Sequence, residues 1–215
     1  PVETIEVRGI GLEQEKISVA ARDAIRNLRW FRQTLIFLDD AALTKELGSF
    51  FPAIRSVAVS RDLWTRRIIL TVEKRIPWAI WCRPSGCAYV DAEGVAFAEA
   101  VELSGTEILR VNDGRETSLT IGASVLAEPD IRILDEFIRR SADHAIRFAR
   151  IAIDPENSFW LVSAAGWRVR IDGATDAPLA SANLISLLEG LLKNKQVKLD
   201  YIDLRLPEKG FYKLR

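Results

Sequence analysis

The chain has 215 residues, 48% of them hydrophobic, and its thirty Lys and Arg side chains cancel thirty Asp and Glu to a formal net charge of zero. That length supplies one large core or two smaller ones, at roughly 100 to 150 residues per domain, and two domains are expected. Balanced charge removes the long-range attraction that a nucleic-acid binder needs, which argues against a DNA or RNA partner. The longest apolar runs, residues 76–82 and 158–167, fall short of the roughly 18 to 20 residues required to cross a bilayer.

Thr4-Ile5-Glu6-Val7 reads as a short strand stopped by Gly9-Ile10-Gly11. A helix follows, because Ile17, Ala20, Ala21, Ala24, Ile25 and Leu28 recur at three- and four-residue spacing and make one apolar stripe. Its other side carries Arg22, Arg26, Arg29 and then Arg32. This basic ridge reads as the solvated side of the helix or, close to a membrane anchor, as a patch for anionic lipid or an acidic partner. Asp39 or Asp40 is expected to cap a second helix running through Leu47, with Gly48 closing it in a left-handed conformation. Ile54, Val57 and Val59 then lead into a polar turn over residues 61–65, and Ile68, Leu70 and Val72 alternate with Ile69, Thr71 and Glu73, the pattern of a β-hairpin. Pro77 lacks a backbone donor and turns Ile76 away from helix, so the second strand is expected to reach a sheet edge or change sheets there. A domain boundary near residue 76 follows, after a β-α-α-β-β unit.

Beyond it the strands become short: residues 79–82, 87–90, 95–98 and 108–111, most simply a meander. Ile131, Leu134, Phe137 and Ile138 mark a helix that starts near Glu128-Pro129. Strands over 146–153, 159–163 and 167–171 come next, then a helix after Pro178 with Leu184, Leu187, Leu188 and Leu191 on its apolar face. A final hairpin joins residues 201–206 to 211–214 around Pro207-Glu208-Lys209-Gly210, with Ile202, Leu204 and Leu206 facing inward. The expected fold class is α+β: a β-α-α-β-β domain over 1–75, then a mixed domain over 76–215 with a mostly antiparallel sheet and two helices. Neither an internal repeat nor a low-complexity linker is present, so one strand is expected to continue through residues 66–82.

Catalytic chemistry finds little to stand on. Gly9-x-Gly11 lacks the third glycine of a dinucleotide fingerprint, having Gln14 instead, and no parallel βαβ series follows. His144 is the only histidine, and no serine sits in a nucleophile-elbow context. Asp91 and Glu93 flank a turn at Gly94, which accounts for them better than paired-carboxylate catalysis. Two cysteines and one distant histidine do not make a zinc site. No catalytic, cofactor-binding or metal-ligating residue is therefore assigned. Cys82 and Cys87 enclose the turn formers Arg83-Pro84-Ser85-Gly86, a spacing that suits a local disulfide across a hairpin neck and equally two unlinked thiols.

Two segments form a pattern: Val72-Glu73-x-Arg75-x-Pro77-x-Ala79-x-Trp81, then Tyr89-Val90-Asp91-Ala92-Glu93-Gly94-x-x-Phe97. It resembles the FtsQ/DivIB family of bacterial cell-division proteins, and the resemblance covers nearly the whole chain, thinning between residues 100 and 145. It implies that residues 1–75 are a POTRA domain, with Phe51-Pro52-x-Ile54 similar to the family's approach to the second strand and Leu63-Trp64 where the family commonly has Trp-Pro. Residues 76–215 would be an FtsQ-type β domain. The chain starts at Pro1 and contains no methionine. The resemblance implies a short cytoplasmic tail and one membrane span ahead of it, placing this part on the periplasmic side of the inner membrane. In that location the disulfide and free-thiol readings stand level.

The implied function is that of a non-enzymatic divisome scaffold in septum assembly. An FtsB-like protein would dock by β-strand addition at the C-terminal edge, bringing an FtsL-like coiled-coil partner, with other divisome components on the POTRA domain. Asp203, Leu204, Arg205 and Gly210, with the backbone of Phe211, Tyr212, Lys213 and Leu214, match the family's docking segment. Leu206 stands where an aromatic is common, so Phe211 or Tyr212 is expected to compensate, while Lys213 and Arg215 act as gatekeepers. Two other readings are weaker: a POTRA chaperone module of an outer-membrane assembly system, since residues 76–215 do not repeat the β-α-α-β-β order, and a wall-binding hydrolase, since no nucleophile or metal set is present.

Overall fold

A computed structural model describes residues 4–9, 14–31, 40–62, 64, 67–100, 108–115, 117–192, 198–207 and 209–215. The chain divides into two compact units, Pro1–Ile76 and Pro77–Arg215. The fold is α+β.

The first unit contains β1 (Thr4–Arg8), α1 (Gln14–Phe31), α2 (Asp40–Phe50), β2 (Ile54–Asp62) and β3 (Arg67–Lys74). Its sheet runs β1-β3-β2, with β1 parallel to β3 and β2 antiparallel to it. Ile68, Leu70 and Val72 alternate inward on β3, as period two requires. On β2, Ile54 and Val57 are three apart, yet both are buried. A register shift between Ile54 and Ser56 inserts Arg55 as an extra residue and returns Val57 to the core side. Helix α1 adds Ile17, Ala21, Ala24 and Ile25 to this core, and α2 adds Leu43 and Leu47. The Thr44 hydroxyl ties α2 to β2, accepting from the Val57 N–H at 2.9 Å.

Gly48 does not close α2. The helix continues through it to Phe50, with the Phe51 N–H donating to the Leu47 carbonyl at 2.8 Å. Pro52 accounts for the stop one turn later, because the residue before a proline is pushed out of helical conformation. Nor does one strand run through residues 66–82: β3 ends at Lys74, and the next strand begins at Ala79 in a different sheet.

The second unit contains β4 (Ala79–Arg83), β5 (Gly86–Val90), β6 (Ala96–Glu99), β7 (Leu109–Asp113), α3 (Glu128–Ala142), β8 (Phe148–Ile153), β9 (Phe159–Ser163), β10 (Arg168–Ile171), α4 (Ala177–Leu192), β11 (Leu199–Leu206) and β12 (Lys209–Leu214). Nine strands form one sheet in the order β12-β11-β10-β9-β8-β7-β4-β5-β6. Five of its pairings are antiparallel and three parallel. The meander holds only for β4-β5-β6. Instead of adding to β6, β7 crosses back and pairs with β4 in parallel. Residues from α3 (Ile131, Leu134, Phe137) and α4 (Ala180, Leu184, Leu188) share one core with Trp81, Val111, Ile151, Phe159, Leu161, Val169, Ile171, Ile202 and Leu204. Among the described residues, no helix is long and apolar enough to cross a membrane.

Candidate functional site

The last hairpin closes one side of the nine-stranded sheet. Strand β11 buries Ile202 and Leu204, so Tyr201, Asp203 and Arg205 alternate to the opposite side. The Asp203 carboxylate accepts from Arg205 at 3.0 Å from Nε and 2.7 Å from Nη2. Burial alone would raise its pKa, but these bonds and the Arg205 N–H outweigh burial and hold it below the ordinary carboxylate value. Next to the pair, Trp160 is covered by the Arg168 and Arg170 guanidinium groups, each 5.1 Å from its ring centre, and meets Tyr201 edge-on. Arg168 also pairs with Asp200 at 3.0 Å.

Among the described residues, strand β12 pairs with β11 alone, Ile202 opposite Tyr212 and Asp203 opposite Phe211. Phe211, Tyr212 and Leu214 are 55%, 48% and 43% exposed. Its end is pinned: the Arg215 N–H donates to the Lys198 carbonyl and the Arg215 guanidinium to the Gly166 carbonyl, both at 2.8 Å. An edge strand of this kind presents backbone groups on its outer side that can pair with another strand.

Leu206 does not pack inward as its alternation with Ile202 and Leu204 suggests; it is 55% exposed. The register shifts between Asp203 and Leu206, so Leu206 pairs with Lys209 and the two-residue period breaks one step before the turn. Gly210 sits against the core side, where a Cβ would press on Leu187 and Leu204.

The opposite edge, β6, is built differently. Its Ala96 donates to the Ala123 carbonyl at 3.0 Å and accepts from the Gly122 N–H at 2.7 Å, while Val95 bridges Ser124. The covering segment is fastened by Asp113, a fully buried carboxylate at the end of β7. It accepts from Trp81 Nε1 at 2.9 Å, Arg83 Nε at 2.8 Å and Arg115 Nε and Nη2 at 2.8 Å. Those arginines then donate onward to carbonyls of the cover, Arg83 to Ser118 at 2.6 Å and Arg115 to Val125 at 2.9 Å. Burial pushes the Asp113 pKa up, but the arginine, indole and backbone donors overcome it and hold the group well below the usual carboxylate range. Sequence reasoning missed Asp113. Its signal was parity: it follows Leu109 and Val111 on the inward side of β7.

The remaining candidates lie apart. Cys82 and Cys87 face each other across the β4-β5 hairpin and are joined, with Pro84 and Ser85 forming a two-residue turn. The Arg110 guanidinium lies 3.5 Å from the Cys82 sulfur. The Asp91 carboxylate accepts from the Glu93 and Val95 N–H groups at 3.0 and 2.9 Å, ordinary turn chemistry. His144 is exposed in the turn after α3, its N–H donating to the Ser141 carbonyl. Arg22 is exposed on α1, whereas the side chains of Arg26 and Arg29, and all of Arg32, lie outside the described residues. Among the described residues, no group of three or more His, Cys, Asp and Glu is arranged to hold a metal ion.

No curated protein matches the chain. The family model described as cell division protein FtsQ/DivIB, C-terminal, matches residues 79–205, from the first residue of β4 almost to the end of β11. That stretch spans more than half of the 215 residues and contains the Trp81–Asp113 bond, the Asp91 turn and the Asp203–Arg205 pair, and on this match the chain belongs to the FtsQ/DivIB family.

Proposed function

We propose that the protein is a non-enzymatic scaffold of the division machinery that holds an FtsB-like protein, together with its FtsL-like partner, by adding a strand to β12. The observation that carries this reading is β12 itself: a six-residue edge strand, paired on one side, with Phe211, Tyr212 and Leu214 exposed along it. An incoming strand gains backbone hydrogen bonds from the free side and specificity from the alternating side chains. Asp203, Leu204, Arg205, Leu206 and Gly210 belong to the hairpin that presents that edge, and Lys213 limits indiscriminate pairing. FtsQ/DivIB is a non-catalytic, membrane-anchored family acting in cell division. The β-α-α-β-β order of the first unit supports a POTRA domain that meets other division components, and the family supports a single membrane span ahead of the chain with this part outside the cytoplasm.

The test is capture of the extracytoplasmic segment of an FtsB-like protein from the same cell by the intact chain and by a chain lacking residues 211–215. Capture is expected to fall at least tenfold on deletion. Phe211→Lys with Leu214→Lys, which preserves the backbone, is expected to weaken it less, and circular dichroism verifies folding of each. Equal capture by intact and truncated chains overturns the assignment of the edge.

A further inference from the structure

The β2-β3 turn carries a feature that partner docking at β12 does not use. Trp64 is 98% exposed, the most exposed large hydrophobic side chain among the described residues. Its backbone N–H donates to the Asp62 carboxylate at 3.0 Å, which ties this residue to the end of β2. Arg61 and Arg67 flank it on the two strands, and the sequence from Arg61 to Arg67 contains three arginines against one aspartate. A bulky amphipathic ring among cations is the composition that settles at a membrane-water boundary, where the ring takes the headgroup level and the cations take lipid phosphates.

The strand register places this turn. Arg67 pairs with Thr4 on one side and with Asp62 on the other, so the start of β1 and the β2-β3 turn lie at the same end of the three-stranded sheet. Two strand spacings, about 10 Å, separate Thr4 from the β2 arm of the turn. The chain thus enters the sheet at the end that carries the Trp64 turn, so a membrane anchor ahead of β1 approaches from that side, and attraction of arginines to an anionic surface acts over about 10 Å at 0.1 M salt.

We propose that the β2-β3 turn is a second membrane contact, in which Trp64 seats among the headgroups of an anionic bilayer and Arg61 and Arg67 bind lipid phosphate. This rests on the reading that a membrane span precedes the chain. Its role is orientation: one tether leaves the first unit free to swivel, and a second contact beside it fixes which way the sheet points.

In the test the tether is supplied chemically, so failure of the natural-anchor reading is separable. The chain with an N-terminal histidine tag is bound through nickel-chelating lipid to vesicles of phosphatidylethanolamine and phosphatidylglycerol at 3:1, or of phosphatidylcholine, each with and without brominated acyl chains. The expected result is quenching of tryptophan emission on the anionic vesicles, lost in Trp64→Ser and reduced at least threefold by Arg61→Gln with Arg67→Gln or by 0.5 M salt. A tag at Arg215 is expected to give less quenching than one at Pro1. Identical quenching of the wild type and Trp64→Ser overturns the proposal, as does Trp64→Ser lowering capture of a division protein while leaving quenching unchanged, which assigns the turn to a protein partner. Partner capture at β12 that survives Trp64→Ser leaves the scaffold reading standing in either case.

Discussion

The two edges of the nine-stranded sheet are opposites. At β6 both backbone groups of Ala96 are taken by residues 122 and 123, and a buried ionic cluster on Asp113 anchors the segment that supplies them. At β12 five of the six residues pair with β11 and, among the described residues, no segment covers the other side. Unpaired edges invite association, and proteins ordinarily close them. Here one edge is closed with a buried carboxylate and two arginines, an arrangement that carries a heavy desolvation cost. Among the described residues the same fold leaves the other edge uncovered, with the Asp203–Arg205 pair and the arginine-covered Trp160 on the strands behind it.

Removing the clamp is expected to have the largest effect. Asp113→Ala leaves Arg83 and Arg115 without their counter-charge, and breaking one partner of a buried pair costs about 3 to 5 kcal/mol. Urea unfolding at pH 7 is expected to show that loss. The Asp113 carboxyl titrates lower in the folded than in the unfolded chain, so its stabilisation is complete above the unfolded value, near 4, and is lost as the pH falls below it toward the folded value. The gap between wild type and Asp113→Ala should therefore narrow from pH 7 to pH 3. The variant should also self-associate through the freed β6 edge on size-exclusion chromatography. A variant that elutes as the wild type does and is equally stable dissolves the contrast between the edges.

Much of this architecture was legible in the chain, and what was not has identifiable causes. Period-two runs such as Ile68, Leu70 and Val72 and helical stripes such as Ile131, Leu134 and Phe137 specify elements, because each residue's facing depends on its near neighbours. Pairing is not local: nothing in Leu109–Asp113 tells whether β7 joins β6 or crosses to β4. Register slips hide for the same reason, and Leu206, which continues an inward alternation in sequence, is turned outward by one extra residue on β11. The proposed docking residues rest on family resemblance, not on chemistry legible in the chain. The Asp113 clamp joins side chains thirty residues apart, Arg83 and Asp113, and only the parallel crossover brings them together.

An intermediate effect is expected at Gly94, where the covered edge turns. Its φ is +83°, and a Cβ there would run into the Leu126 carbonyl, backbone that cannot swing aside. Its own carbonyl accepts from the Val125 N–H at 2.8 Å, so displacement also loosens the cover. Gly94→Ala combines left-handed strain with that clash, and a loss of about 2 kcal/mol is expected in urea unfolding. If the loss is under about 0.5 kcal/mol, the cover tolerates movement and does not close β6 tightly.

Gly210 is the matched position on the open edge, and there the effect is expected to be smallest. A Cβ would meet the ends of the Leu187 and Leu204 side chains, which rotate, rather than backbone, and Gly210 does not lie in the left-handed region. Gly210→Ala is expected to cost less than about 1 kcal/mol, since small overpacking is absorbed by flexible neighbours and the strand gains from losing a glycine. Partner capture should stay within about twofold, because the new methyl group points at α4 while the incoming strand meets the backbone on the other side of β12. A loss comparable to that of Gly94→Ala would mean that β12 is packed as rigidly as the covered edge, and the asymmetry would then lie only in what each edge leaves unpaired.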